Sequence, residues 1–278
     1  MPDRLTASSE EIVRKADYDR YLAAVFVPQA LRRHLITLYA FNYEVAKTAE
    51  SVSQPIAGQI RLQWWRDRIA ELYGGADSDH SLANALAEII AEYHLPRDLF
   101  DELIDAREND LEEAPFDDMA SLEAYADATS GNLMRLAARV LGAGDSLDQE
   151  AGELGIAYAL TGLCRALPFQ AARRHLMLPR NRVAELSISI EDMFSGKADP
   201  GLTTLIAELA ENARRHFHAG AGKRIARKVL PALLPGALVP LYLRAFTRPG
   251  FDPFRDPTDV PVHRRQLGML RAMIRSRI

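Results

Sequence analysis

The stretch Pro28–Val45, PQALRRHLITLYAFNYEV, decides the fold class of this 278-residue chain. Its apolar residues recur at steps of three and four, the period of an α-helix with one face turned to a core; they are Leu31, Leu35, Leu38, Phe41 and Val45. No alternating β-branched run bounded by turn residues occurs elsewhere in the sequence. We therefore predict an all-α protein.

The helical period extends along most of the chain. Pro55 suits the first turn of a second helix that stops at Gly74 and Gly75. Further helices are predicted over residues 80–93, 97–112, 120–142, 147–165, 189–195, 200–222 and 228–246, with a basic helix from 259. No linker, low-complexity tract or internal repeat divides the sequence. We expect one helical domain spanning residues 1–278.

Composition is that of a globular protein, with 48% hydrophobic and 26% charged residues. A formal net charge of −4 gives no general attraction to nucleic acid, so we expect no nucleic-acid partner. Cys164 is the single cysteine, which excludes an intrachain disulfide and predicts a buried thiol. The opening MPDRLTASSEE lacks the apolar region of a secretory signal, and we expect a cytoplasmic protein.

The most apolar stretch, Val229–Leu243, is interrupted by Pro231, Pro235 and Pro240 and is too short to span a bilayer. A buried core helix is the commoner explanation. The alternative is peripheral docking on an anionic membrane, because four basic residues precede the stretch: Lys223, Arg224, Arg227 and Lys228.

Asp101 and Asp105 are four residues apart, on one helix face, as a magnesium-diphosphate site would require. Several further acids surround them, so we interpret this face as a solvated acidic surface. The adjacent tryptophans Trp64 and Trp65 lie among arginines and would suit a stacking surface. Ile60, Trp64 and Ile69 share roughly one helix face, which instead favours packing of at least one tryptophan in the core.

A third polar group is the basic run Arg173, Arg174 and His175, with Arg165 eight residues before its start. Such a cluster would suit an anionic head group. A charged turn before Pro179 explains the run equally well.

Three blocks in the same order resemble the squalene/phytoene synthase family: YLAAVFVPQALRRHLITLYAFNYEV from Tyr21, LQWWRDRI from Leu62 and GIAYALTGLCRALPFQAARRHLMLP from Gly155. The resemblance implies the isoprenoid synthase fold, a single helical bundle around a central cavity. In that family two helices point aspartate-rich motifs into the cavity, where they bind Mg²⁺ and prenyl diphosphates.

At the motif positions this chain lacks those aspartates. The first motif reads Ala46-Lys47-Thr48-Ala49-Glu50, in which Glu50 alone is acidic and Lys47 places a positive charge among the expected ligands. The second motif reads Ala166-Leu167-Pro168-Phe169-Gln170 and has no carboxylate.

A third difference is Asp19, at a position where active relatives carry a serine near the diphosphate. We expect this anion to repel such a substrate. Taken with the two altered motifs, it predicts a pseudoenzyme with no catalytic residue, no bound metal and no cofactor.

Within the family the sequence is most similar to the branch that contains the mitochondrial complex I assembly factor, as in AFNYEVAKTAESVSQP and DARENDLEEA. This implies a role in biogenesis of the respiratory NADH dehydrogenase, with complex I subunits or assembly intermediates as partners, and a peripheral position on the inner membrane or its matrix side. A prenyl-like lipid would occupy the cavity. We expect the cavity to be lined by Tyr43, Glu44, Lys47, Tyr158, Arg165 and Arg173, although packing explains each equally well.

Two alternatives remain open at this point. The chain would be a head-to-head prenyl transferase using Mg²⁺ if Glu44 and Glu50 served as ligands, yet residues six apart lie at different angles on a helix and make a poor pair. It would be a structural scaffold if the cavity were filled and no connected pocket existed.

Overall fold

Helices make up the regular secondary structure in the part of the chain that the computed structural model describes, residues 2–75, 78–248 and 250–278. The α-helices are α1 (Pro2–Ala16), α2 (Tyr18–Ala24), α3 (Gln29–Ala46), α4 (Thr48–Ser51), α5 (Pro55–Tyr73), α6 (Ser81–Tyr93), α7 (Arg97–Ala106), α8 (Met119–Ala126), α9 (Asn132–Val140), α10 (Asp148–Ala172), α11 (Arg180–Glu185), α12 (Ile190–Phe194), α13 (Pro200–Gly220), α14 (Val239–Phe246) and α15 (Val262–Arg275). The predicted all-α class is confirmed.

Shorter helical turns connect several of these elements. Four are 3₁₀ turns and one, at 127–131, is a π-helical turn; they are Arg107–Leu111, Asp127–Gly131, Asp145–Leu147, Leu230–Leu233 and Gly236–Leu238. The predicted helices 97–112 and 120–142 are therefore each divided. The predicted helix 147–165 is instead longer, because α10 continues through Pro168 to Ala172.

Helix α3 has the buried face that its sequence predicts. It begins directly after Pro28, and Leu35, Leu38, Phe41 and Val45 are completely enclosed. The ring of Phe41 meets those of Trp65 and Phe100 edge to face, which aromatic pairs prefer. This contact joins α3, α5 and α7 in one core.

The protein has two apolar cores, and one long helix, α10, contributes residues to both. The first gathers residues of α3, α5, α6, α7 and α9, and the second gathers residues of α10, α13 and α14. Helix α10 contributes Leu154 to the first core and Leu160 and Cys164 to the second, and it packs along α13. The thiol of Cys164 is buried as predicted.

The buried face of α5 differs from the one predicted. Trp65 and Ile69 lie in the core, but Ile60 is 65% exposed and Trp64 is at the surface. Trp64 packs edge to face against His80, with the guanidinium of Arg68 5.2 Å from its ring centroid. One tryptophan is thus core, as expected, while the predicted grouping of Ile60, Trp64 and Ile69 is wrong because only the third of these side chains points inward.

The segment from 228 to 246 is not one helix, because Pro231, Pro235 and Pro240 each remove a backbone donor. Two 3₁₀ turns precede α14 instead. Val229 and Leu234 are buried in this segment, as are most of its other apolar side chains. The core interpretation is confirmed, and membrane docking through this segment is wrong.

Within the ranges that the structure describes, no helix combines the length and apolar character needed to cross a bilayer.

Candidate functional site

A cavity of about 790 Å³ lies between the end of α3, the C-terminal half of α10 and the chain that follows α7. Helix α12 closes another side. The wall combines small, apolar and charged side chains from these four regions, from α8 and from the chain that follows α10: Ala46, Ala49, Glu50, Asp110, Leu111, Glu112, Glu113, Ala114, Tyr125, Leu163, Ala166, Phe169, Gln170, Arg173, Arg174, His175, Leu176, Met177, Ile190 and Phe194. A cavity of this size contradicts the hypothesis of a scaffold with a filled interior.

The first altered motif lies on the cavity wall with its small residues. Helix α3 ends at Ala46, and α4 then carries Ala49 and Glu50 to the same wall. Lys47 lies outside the residues that line the cavity. Its ammonium group binds the carboxylate of Glu44 and lies 4.8 Å from the ring centroid of Tyr43. The lysine charge is therefore paired with Glu44 in the last turn of α3, and its side chain is not on the cavity wall.

Glu44 is held between two cations. One carboxylate oxygen accepts a hydrogen bond from Lys47, and the other accepts one of 3.0 Å from Arg61 on α5. Two bound cations compensate the negative charge and occupy both oxygens. Glu44 is thereby committed to linking α3 with α5, and it is not placed to act with Glu50 as a metal ligand.

The second altered motif lies on the wall of the same cavity. Ala166 and Gln170 of α10 lie on the wall one turn apart, at the two positions that the family resemblance assigns to carboxylates. The Oε1 atom of Gln170 is buried and has no hydrogen-bond partner among the described residues. A buried acceptor left unpaired is unfavourable, and it would be satisfied by a donor on a bound molecule.

Acidic side chains not predicted for the cavity lie on its third wall. Asp110, Glu112 and Glu113 come from the segment after α7, which the sequence pattern assigned to a solvated acidic face. Asp110 is engaged, since it accepts hydrogen bonds of 2.6 Å from Tyr125 and 3.1 Å from Arg107. The acid-rich run at the end of a predicted helix was the available signal, but its three-dimensional position depends on how the chain turns after Ala106.

These carboxylates do not form a magnesium site. Mg²⁺ in diphosphate chemistry is held by several carboxylate oxygens in near-octahedral geometry. Of the acids near the cavity, Asp110 is bound to Arg107 and Tyr125, while Glu50 stands alone at the first motif. Over the described ranges there is no group of three or more His, Cys, Asp or Glu residues placed to hold a metal ion. The donor set of this chain does not fit the family's metal cluster.

Asp19 belongs to a separate buried cluster. Its side chain is almost fully enclosed and accepts hydrogen bonds of 2.6 Å from the hydroxyl of Tyr242 and 3.2 Å from that of Tyr158. Arg265 donates a third bond of 2.7 Å. The expectation that Asp19 would repel an approaching anion is corrected by this arrangement, because its charge is compensated inside the protein.

Arg165 belongs to the same cluster and does not line the cavity, whereas its neighbour Ala166 does. Its guanidinium lies 3.9 Å from the ring centroid of Tyr242, with nitrogens 3.9 Å from Asp19 and 3.5 Å from Asp259. Burial is the main cause that raises the pKa of Tyr242, so its hydroxyl stays protonated as a donor.

Tyr158 also faces this cluster, under the buried guanidinium of Arg20. Burial raises its pKa well above the ordinary value.

Of the six side chains predicted to line the cavity, the structure therefore places Arg173 on its wall. Tyr158 and Arg165 lie instead in the Asp19 cluster. Lys47 pairs with Glu44 and lies over the ring of Tyr43, at the end of α3 and away from the cavity wall.

The basic run after α10 lies at one end of the cavity. Arg173 stacks 5.3 Å from the ring centroid of Phe169, Arg174 pairs with Glu191 at 3.1 Å, and both arginines are exposed. The Nε2 atom of His175 lies 2.8 Å from the backbone oxygen of Glu112. This end carries charges of both signs and is open to solvent.

The acidic pair on α7 has arginine partners at the surface. Asp101 accepts from Arg97 at 3.0 Å, and Asp105 accepts from Arg66 at 2.5 Å. Neither aspartate lies on the cavity wall, in agreement with an acidic outer face.

Comparison with known proteins gives one family and two kinds of relative. The family model described as squalene/phytoene synthase matches residues 13–266. The mouse protein "NADH dehydrogenase (ubiquinone) complex I, assembly factor 6" is 30% identical over 247 residues, covering 88% of this chain and 74% of the mouse protein. A "presqualene diphosphate synthase" of Rhodopseudomonas palustris is 32% identical over 203 residues, covering 72% of this chain and 71% of that enzyme.

A solved structure supports the fold independently. The crystal structure of a dehydrosqualene synthase in complex with ligand superposes with a TM-score of 0.83, covering 98% of this chain and 96% of that one at 16% identity. The assembly factor spans 88% of this chain and the enzyme 72%, but their percentage identities are comparable, so identity alone does not separate the two functions. The choice between these two functions therefore depends on which side chains line the cavity.

Proposed function

This chain belongs to the squalene/phytoene synthase family, and on that premise we propose that it is a non-catalytic member that acts in the biogenesis of respiratory complex I at the membrane face and holds a prenyl-like lipid in its cavity. One observation carries the proposal. The two altered motifs lie on the wall of the same cavity, and they carry alanine, glutamine and a single glutamate where the family resemblance predicts metal-binding carboxylates.

Carboxylates are required for prenyl transfer because the diphosphate leaving group has to be stabilised. Ionisation of a prenyl diphosphate separates charge, and divalent cations that bridge carboxylate and phosphate oxygens stabilise the departing diphosphate. Ala46 and Ala166 supply no side-chain oxygen, and the carboxamide of Gln170 carries no charge to hold a cation. The cavity therefore lacks the carboxylates that would hold cations against the departing diphosphate, although it has the volume of a ligand site.

The retained volume supports a ligand. Ligand sites typically occupy about 300–1,000 Å³ and combine an apolar wall with a few polar groups. Here Leu163, Phe169 and Met177 supply apolar surface, and Gln170 and Arg173 supply a hydrogen-bond acceptor and a cation. A prenyl-like lipid with a small polar end has this combination of properties.

The similarity to the mouse assembly factor supports the biological role. It favours complex I subunits or assembly intermediates as partners, and a peripheral position on the inner membrane or its matrix side. Deleting the gene in its host should reduce assembled NADH dehydrogenase while leaving isoprenoid levels unchanged. Complementation with the Glu50→Gln variant should restore assembly as well as the wild-type gene does, because no metal depends on Glu50.

The alternative function is a head-to-head prenyl transferase, favoured by the similarity to the R. palustris enzyme. Purified protein incubated with farnesyl or geranylgeranyl diphosphate and Mg²⁺ should release no diphosphate above the buffer rate. Turnover that Glu50→Gln abolishes would overturn the non-catalytic assignment.

Lipid binding has its own test. Ala166→Trp adds an indole to the cavity wall and should reduce binding of a fluorescent prenyl alcohol at least ten-fold. Thr204→Trp, at an exposed position of α13, adds the same bulk away from the cavity and should leave binding unchanged. Equal binding by wild type and Ala166→Trp would contradict a lipid in this cavity.

A further inference from the structure

The C-terminal helix α15 presents three different faces. Met269 and Ala272 point into the protein, and Arg265 on the same side reaches Asp19. Successive residues of a helix are about 100° apart, so Leu267, Leu270 and Ile274 form a stripe roughly 120–180° away from this buried side. These three side chains are 51%, 45% and 65% exposed. An apolar stripe on the outside of a terminal helix is thus left uncovered.

A second element widens this stripe into a surface patch. The turn that follows α2 brings Val25, which is 47% exposed, and Phe26 beside Leu267 and Leu270. Between the two elements lies a groove of about 500 Å³. Contiguous exposed apolar surface on a folded protein commonly marks a contact with a partner or a membrane.

Arginines flank the apolar stripe. Arg264, Arg271 and Arg275 share the helix side next to it, all three are exposed, and none is within ion-pair distance of an acid among the described side chains. Residues 260–278 contain five arginines and no aspartate or glutamate, in a chain whose formal net charge is −4. Positive charge is therefore concentrated beside exposed apolar surface.

Another exposed apolar stripe, on α5, differs in its charge. Ile56 and Ile60 are 57% and 65% exposed, but the arginines of α5 all have acidic partners: Arg61 with Glu44, Arg66 with Asp105 and Glu108, and Arg68 with Glu71. Its positive charge is compensated within the protein. The two helices thus offer similar apolar exposure, but positive charge is left uncompensated only beside the stripe on α15.

We propose that the patch formed by Val25, Phe26, Leu267, Leu270 and Ile274 docks on the surface of an anionic lipid bilayer, with α15 lying in the plane of the interface. The apolar side chains enter the boundary between head groups and acyl chains, while Arg264, Arg271 and Arg275 meet lipid phosphates. This inference rests on the proposed function for its membrane setting, and it names the surface that makes the contact.

The helix is already fixed in the orientation that docking requires. Arg265 ties its first turn to Asp19, and at its other end the backbone oxygen of Ser276 accepts a hydrogen bond of 2.8 Å from the amide of Ile225. No folding transition has to accompany binding, so the entropy cost of ordering the helix is absent.

Sedimentation of the full chain with lipid vesicles tests the proposal. The protein should bind phosphatidylcholine vesicles that contain phosphatidylglycerol, bind pure phosphatidylcholine vesicles at least ten-fold more weakly, and lose affinity as salt is raised. Ile274→Glu should lower binding to the anionic vesicles at least ten-fold. The matched control Ile60→Glu, at an equally exposed isoleucine on α5, should have no effect.

The arginines are tested separately. Arg271→Gln should weaken binding to anionic vesicles about five-fold, the effect expected for one basic residue near a charged bilayer. Unfolding curves equal to wild type would show that each variant is folded, since the substituted positions are exposed.

Three outcomes would overturn the proposal: no binding to anionic vesicles, equal loss with Ile60→Glu and Ile274→Glu, or a wild-type dimer that Ile274→Glu dissociates, which would show that a second copy covers the patch. Because the readout is vesicle binding, its failure is distinguishable from loss of complex I assembly in the deletion strain.

Discussion

Asp19 accepts a hydrogen bond of 2.7 Å from Arg265, a residue 246 positions further along the chain. The same carboxylate accepts a bond of 2.6 Å from Tyr242. This pairing connects α2 to α14 and α15, so the end of the chain is fastened to its beginning. The sequence suggests that the charge of Asp19 would repel an anionic substrate, but in the fold Asp19 connects α2 to α14 and α15.

Replacing Asp19 should therefore act on stability. Asp19→Asn leaves the mostly enclosed guanidinium of Arg265 without its counter-charge, and breaking such a pair typically lowers the free energy of unfolding by about 3–5 kcal/mol. Urea unfolding measures the change. The control Asp105→Asn removes a partner of Arg66 at the surface, where the loss should be under about 1 kcal/mol. Equal small losses in both variants would contradict the structural role of Asp19.

Two glycines of α10 should respond in opposite directions to alanine. A Cβ on Gly155 would lie 2.5 Å from the Cα of Gly131, so Gly155→Ala forces two backbones apart and should lower the free energy of unfolding by about 1–3 kcal/mol. Gly162 has nothing within 4 Å of its added Cβ. Gly162→Ala should raise stability by about 0.5–1 kcal/mol, because alanine is the better helix former.

Thermal or urea unfolding of both glycine variants gives the comparison directly. Loss of stability in both, or in neither, would show that the close approach of α10 to the π-helical turn is not as the structure has it.

Stability should decline as the pH falls below about 6.5. Burial lowers the pKa of His34 from its ordinary value of 6.5, and burial also lowers that of His80. The unfolded chain therefore takes up protons first, so the stabilising effect is complete above pH 6.5 and is lost as pH falls towards the folded pKa. The free energy of unfolding, measured by urea titration at a series of pH values, follows this change.

The variant His34→Gln isolates one of these groups. His34 is mostly buried against Tyr93, with 2.7 Å between the Nδ1 atom and the hydroxyl oxygen. Its removal should reduce the slope of stability against pH between about 5 and 7. A steeper slope, or stability that increases on acidification, would mean that His34 gains a charge partner in the folded state.

Cys164 should be inert until the protein unfolds. Burial raises the pKa of its thiol to about 12, so almost no thiolate exists at neutral pH, and the side chain is enclosed by the second core. A colorimetric thiol reagent should detect none of the single cysteine in the native protein and all of it in denaturant. Rapid reaction of the native protein would place the thiol at the surface.

The amino-acid sequence determined the helical class and the position of most helices, because the apolar period of stretches such as Pro28–Val45 is a local property of the chain. The resemblance to the squalene/phytoene synthase family also identified Ala46, Ala166 and Gln170 as the residues at the predicted metal-motif positions, since residue identity at a motif does not depend on packing. The composition of Val229–Leu243 favoured its burial but left docking on a membrane open, and the structure decided for burial.

Only the tertiary structure decided which charges remain available. Glu44 is paired with Lys47 and Arg61. Asp19 is enclosed by Tyr242 and Arg265, although each of these charges looks free in the sequence. The acids after α7 came to line the cavity, and the stripe on α15 was left uncovered. Pairing and exposure depend on side chains brought together from distant parts of the chain, and the electrostatic effect of a charge is set by the partners and solvent around it.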